Sequence, residues 1–97
     1  MARFDVYRMG DAYALDCQAN IHRQLKTRFI VPMRLAEEGY PAKAGLNPSF
    51  NLNGLKLVMI TEFASAVFMS ELGERVGSLD QHHPEVIQAL DFLISGF

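Results

Sequence analysis

The dipeptide Asn53-Gly54 constrains this chain more than any other local feature. It stands between two runs, Ser49 to Leu52 and Leu55 to Thr61. A two-residue hairpin loop of type I′ needs positive φ at both central positions, and Asn-Gly meets that need with the least steric cost. The pair therefore predicts an antiparallel hairpin, and the surrounding sequence reads the same way. Phe4 and Val6 alternate with Arg3, Asp5 and Tyr7, the period-two signature of a half-buried strand. Met9-Gly10-Asp11-Ala12 reads as a turn. Tyr13, Leu15 and Cys17 then alternate with Ala14, Asp16 and Gln18, which predicts a second strand and another hairpin. Asn20 to Lys26 is a polar connection. Thr27 to Met33 is a third strand, apolar on both faces through Phe29, Ile30 and Val31, which predicts a central place in the sheet. Pro32 is expected near its end, where a missing donor does least harm.

Between Ala36 and Pro48, the residues Gly39, Pro41 and Gly45 predict a long loop, with a helical turn around Leu35 to Glu38. Ala64 to Met69 is a further apolar run, and Gly73 and Gly77 punctuate a short segment after it. Pro84 to Phe97 then reads as an amphipathic helix running to the last residue. At about 100° per residue, Val86, Ile87, Leu90, Leu93, Ile94 and Phe97 share one stripe, opposite Gln88, Asp91 and Ser95. Phe92 lies on the polar side. Pro84 suits a first helical turn, and Glu85 complements the positive end of the helix dipole. The expected architecture is a single domain over residues 1–97, mostly β with a C-terminal α-helix, in a compact antiparallel barrel or sheet.

The 97 residues bury a modest core, so burial shared with a second copy favours a homodimer. No apolar run approaches the roughly 18–20 residues of a membrane span. The first residues lack the apolar centre of a signal peptide, and the lone Cys17 fits a reducing compartment, so a cytoplasmic location is expected. Net charge is −2, which argues against general nucleic-acid binding through phosphates. The charge is uneven: residues 1–56 carry +3 and residues 57–97 carry −5. From His22 to Arg34 there is no acid, while Arg23, Lys26, Arg28 and Arg34 are present. That stretch reads as a solvated loop or, more sharply, as a docking surface for an acidic peptide.

No catalytic constellation stands out. His82 and His83 are neighbours, point in different directions, and have no Cys or second His at ligand spacing. Cys17, on the apolar side of a strand, reads as a structural thiol. Glu37-Glu38 and the Glu71/Glu74 pair read as surface acids, and Met33, Met59 and Met69 as core fillers. An enzymatic reading has one candidate, a ribonuclease using Arg28 and Thr27.

Three stretches together resemble the CcdB family of plasmid and chromosomal toxins. They are Tyr13 to Asn20 followed by Thr27-Arg28-Phe29-Ile30-Val31-Pro32-Met33, then Leu72 to Leu79, and finally Ala89 to Phe97. The resemblance covers nearly the whole chain. It implies an SH3-like β barrel with additional antiparallel strands, assembled as a homodimer, with no cofactor, no metal and no catalysis. It further implies a toxin that binds the A subunit of DNA gyrase, poisons the gyrase–DNA complex and is neutralised by a cognate antitoxin. The family's poison residues are the last three, here Ser95, Gly96 and Phe97. Where the plasmid member has Trp, this chain has Ser95, and Phe92, one helical turn earlier, is the aromatic that can replace it. Arg23, Lys26 and Arg28 are the candidate antitoxin contacts, because antitoxin tails are commonly acidic and fold on binding. Two other readings stay open: a binding module of the same fold with a lost or altered target, and a ribonuclease of the MazF type.

Overall fold

A computed structural model describes residues 2–96. Among them, seven strands form one antiparallel sheet: β1 (Asp5–Met9), β2 (Ala12–Asp16), β3 (Thr27–Leu35), β4 (Ser49–Leu52), β5 (Leu55–Met59), β6 (Ser65–Phe68) and β7 (Arg75–Ser78). Helix α1 (His83–Ser95) follows. The spatial order is β4-β5-β3-β2-β1-β7, with β6 paired to β3 off that path. Both expected hairpins are present. At the second, φ is +51° at Asn53 and +85° at Gly54, as the type I′ reading requires.

Strand β3 organises the sheet, and its central position agrees with its apolar character. One side pairs with β2; the other pairs first with β6 over Thr27 to Ile30, then with β5 over Met33 to Leu35. Pro32 lies inside the strand, not near its end as expected. It falls where β6 gives way to β5, so the missing donor lies between two ladders, and its carbonyl accepts the Ile60 N–H at 2.9 Å.

The first hairpin is more buried than alternation suggests. All five residues of β2 are buried, and Asp5 and Tyr7 of β1 are buried beside the inward Val6. Polar side chains supply the cover: Tyr7 Oη donates to Asp5 Oδ2 at 3.3 Å, and Arg75 Nη2 lies 3.2 Å from Asp5 Oδ1. β1 begins at Asp5; Phe4 precedes it with φ +71° and a fully buried ring. The unread strand is β7. It brings the sheet's two ends together, because Asn53 Nδ2 donates to the Val76 carbonyl at 2.8 Å. A Cβ on Gly77 would come within 2.9 Å of Leu52 Cδ1, so the leucine side chain would have to shift to admit a larger residue here. The result is a curled half-barrel with one C-terminal helix, in agreement with the SH3-like expectation.

Phe4, Val6, Leu15, Val31, Met33, Leu57, Met59 and Leu79 fill the core, with Val86 and Ala89 of α1 seated on it. Met69 is exposed and is not a core filler. The loop over residues 36–48 has a defined path. A 3₁₀ turn spans Ala36–Glu38, and buried Asn47 donates to the Met59 carbonyl at 3.0 Å and to Glu62 Oε1 at 2.7 Å.

Candidate functional site

Two regions carry the candidate residues, the end of α1 and the start of β3. The helix begins as its sequence suggests. Pro84 occupies the first turn, and Glu85 Oε2 lies 3.1 Å from His82 Nδ1, a contact that holds the Glu85 carboxyl below its ordinary range. The two histidines part as expected. His82 packs against Phe50, whereas His83 meets the Phe4 ring edge-on, with centroids 5.1 Å apart, and faces Arg3.

The apolar stripe of α1 is used unevenly. Val86 and Ala89 are fully buried, and Ile87 and Leu90 half-buried against the core. Leu93 is 42 % exposed and Ile94 78 %. The helix also stops sooner than expected: Ser95 is its last residue, and Gly96 turns left-handed with φ +78°. The Gly96 N–H closes the helix on the Phe92 carbonyl at 2.9 Å. Phe92 lies against the loop, its ring 3.4 Å from where a Cβ on Gly45 would stand, and its other side is open. Ser95 and Gly96 are exposed. Phe97 lies outside the described residues. Among the described ones, then, Phe92, Ser95 and Gly96 share an apolar tip with Leu93 and Ile94, which suits docking against another protein surface.

The basic run does not form one patch. Arg23 and Lys26 are exposed in the loop before β3. Arg28 is not: its side chain is 0 % exposed, with Nε and Nη2 at 3.0 and 2.6 Å from Asp16 Oδ2. Its place among the surface contacts is therefore corrected. The desolvated guanidinium sits inside because Asp16, across the β2–β3 pair, neutralises it there. The same burial removes Arg28 from any role on an RNA backbone, and Thr27 beside it pairs with Phe68 in the ladder. Arg34 stands at the far end of β3, tied to Asp11, Glu38 and the Tyr40 ring.

The loop read as a polar connection carries two exposed apolar residues, Ile21 and Leu25. Phe29 and Phe68 are also exposed, and the register places them on one face of the β3–β6 ladder. The sequence signals for this face, Phe29 in a strand apolar on both sides and the apolar run Ala64 to Met69, read equally well as core. Cys17 packs against the core, and burial together with the Asp16 carboxylate pushes its thiol up to about 12. Its packing against the core suits a structural thiol. Among the described residues, no group of three His, Cys, Asp or Glu is placed to hold a metal ion, and no helix is long and apolar enough to cross a membrane.

A family model described as CcdB protein matches residues 3–96. The chain belongs to the CcdB family. No curated protein sequence matches it. Membership makes it a toxin of the toxin–antitoxin type, and the curled half-barrel is the fold expected of a CcdB-family chain. Gly96 has a structural duty as the left-handed cap of α1.

Proposed function

We propose that this CcdB-family toxin acts as a homodimer on the A subunit of DNA gyrase through the tip of α1, and that a cognate antitoxin docks on the basic loop. The observation that carries the reading is the divided helix. Its first two turns are seated in the core, while Phe92, Leu93 and Ile94 remain open around Ser95 and Gly96. A helix used only for folding would bury this end. Among the described residues, the tip offers an aromatic and two aliphatic anchors and no titratable side chain apart from Asp91, so it recognises a target by shape and apolar area. Phe92 supplies the aromatic surface that Ser95 lacks. It is one turn earlier in the helix and backed by Gly45.

Phe29 and Phe68 on the β3–β6 face supply apolar surface for a second copy. Arg23 and Lys26 remain as the antitoxin contacts, and Arg28 acts beneath them through Asp16. The toxin works in the cytoplasm, where gyrase is found, and needs no catalytic group of its own.

The test is expression in a gyrase-dependent bacterium, beside a chain lacking Gly96 and Phe97. Growth arrest with gyrase-linked DNA breaks is expected from the full chain alone. Arrest without breaks would replace gyrase by another target. No effect from a folded protein would favour the binding-module reading.

A further inference from the structure

The loop between β2 and β3 has no core of its own. Every residue from Asn20 to Lys26 is exposed, Ile21 at 78 %. Its internal hydrogen bonds are short-range: His22 N–H to the Ala19 carbonyl, Arg23 N–H to Asn20, and Leu25 N–H to His22. Segments with few buried contacts open readily unless the body of the fold ties them. The two ends of this loop are tied. Asn20 Oδ1 accepts the Arg3 N–H at 2.8 Å, and the Lys26 carbonyl accepts the Met69 N–H at 2.9 Å.

Among the described residues, the side chain hydrogen-bonded to the middle is that of Gln18. Its Oε1 accepts the Phe29 N–H at 3.0 Å, and its Nε2 donates to the His22 carbonyl at 2.9 Å. A single amide thus joins β3 to the centre of the loop. Gln18 is itself seated on the buried ion pair, because its N–H donates to Asp16 Oδ1 at 3.0 Å while Asp16 Oδ2 takes the Arg28 fork. The contacts run without a break from Arg28 through Asp16 and Gln18 to His22, which precedes Arg23.

We propose that Gln18 is a positioning residue. It fixes the middle of the 19–26 loop against β3 and so sets how Arg23 and Lys26 meet an acidic partner. The proposal rests on the antitoxin reading of that loop. A loop already held in one shape loses less conformational entropy when it binds. The buried pair beneath explains why a guanidinium is kept inside the fold: a rigid fork orients the carboxylate that orients Gln18.

Gln18→Met keeps the length of the side chain and removes both its donor and its acceptor. Gln18→Glu keeps an acceptor for Phe29 and loses the donor to His22. Amide hydrogen exchange at His22, Arg23 and Leu25 in the full chain reads the loop, and titration with a polyglutamate peptide at low salt reads docking. Gln18→Met is expected to speed exchange roughly tenfold, the loss of two neutral hydrogen bonds. It should also weaken peptide binding several-fold, with Gln18→Glu between it and the parent in exchange. The melting temperature should stay nearly constant throughout. Unchanged exchange in Gln18→Met overturns the positioning role. Faster exchange with unchanged peptide affinity overturns its link to docking. Arg23→Glu with Lys26→Glu is the separate control: if peptide affinity survives that reversal, the antitoxin reading fails, and exchange alone still decides what Gln18 does.

Discussion

Both candidate regions divide into a root and a tip. In α1, Val86 and Ala89 are closed into the core, while Ile94, two turns after Val86 on the same stripe, faces outward. At the start of β3, Arg28 is enclosed with Asp16, while Lys26, two residues earlier, is open. The difference teaches that one chemical pattern can serve two purposes along its length. The root commits its apolar area or its charge to the fold. The tip leaves the same residue types free for a partner, and its substitution should therefore alter binding far more than stability.

Substitutions at root and tip should differ in size accordingly. Asp16→Ala leaves the Arg28 charge buried without a counter-ion and should cost about 3–5 kcal/mol in urea unfolding. An effect under about 1 kcal/mol would mean that the guanidinium escapes to solvent and is no root. Replacing both partners, Asp16→Leu with Arg28→Met, should recover most of the loss. Next in size, Val86→Ala removes buried methyl groups and should cost about 2 kcal/mol, whereas Ile94→Ala should stay within about 0.5 kcal/mol in a folded monomer. Equal costs at the two positions would erase the division of the helix. If the tip contributes to a dimer, Ile94→Asp should lower the molar mass seen by light scattering while the fold persists.

The smallest effect concerns Cys17. Its thiol is raised to about 12 in the folded chain, above the ordinary value of 9.0. Between those limits the unfolded chain releases a proton that the folded chain retains, so stability falls as pH rises through this window and is level below it. Tyr7, also raised by burial, adds to the decline above its ordinary value of 10.0. Chemical denaturation at about pH 8 and about pH 10.5 measures the difference. Cys17→Ala should flatten the lower part of the slope.

The roots explain what could be read from sequence alone. Asn53-Gly54 and the period-two runs announced both hairpins because local sterics and alternation set them. The start of β3 and the helical turn after it were visible as well, although the strand runs two residues past Met33, to Leu35. β7 was hidden because Gly77 reads as a breaker, while its actual duty is to let Leu52 approach. Arg28 was misplaced because charge counts say nothing of Asp16 on the neighbouring strand. The helix pattern placed Val86, Ile87 and Leu90 toward the core but passed over the buried Ala89 and counted the open Leu93 and Ile94 as inward, because burial along a helix is set by what lies beneath it. Ile21 and Leu25 were overlooked as isolated apolar residues in a polar stretch.

The most direct test of the tip as a gyrase poison is a DNA-cleavage assay with purified gyrase, plasmid and ATP. The full chain is compared with a chain ending at Ser95, after both are shown to be folded. Linear plasmid is expected to accumulate with the full chain and to stay at background with the shortened one. Equal cleavage by both chains would show that Gly96 and Phe97 are not the poison residues, and no cleavage by the folded full chain would contradict gyrase as its target.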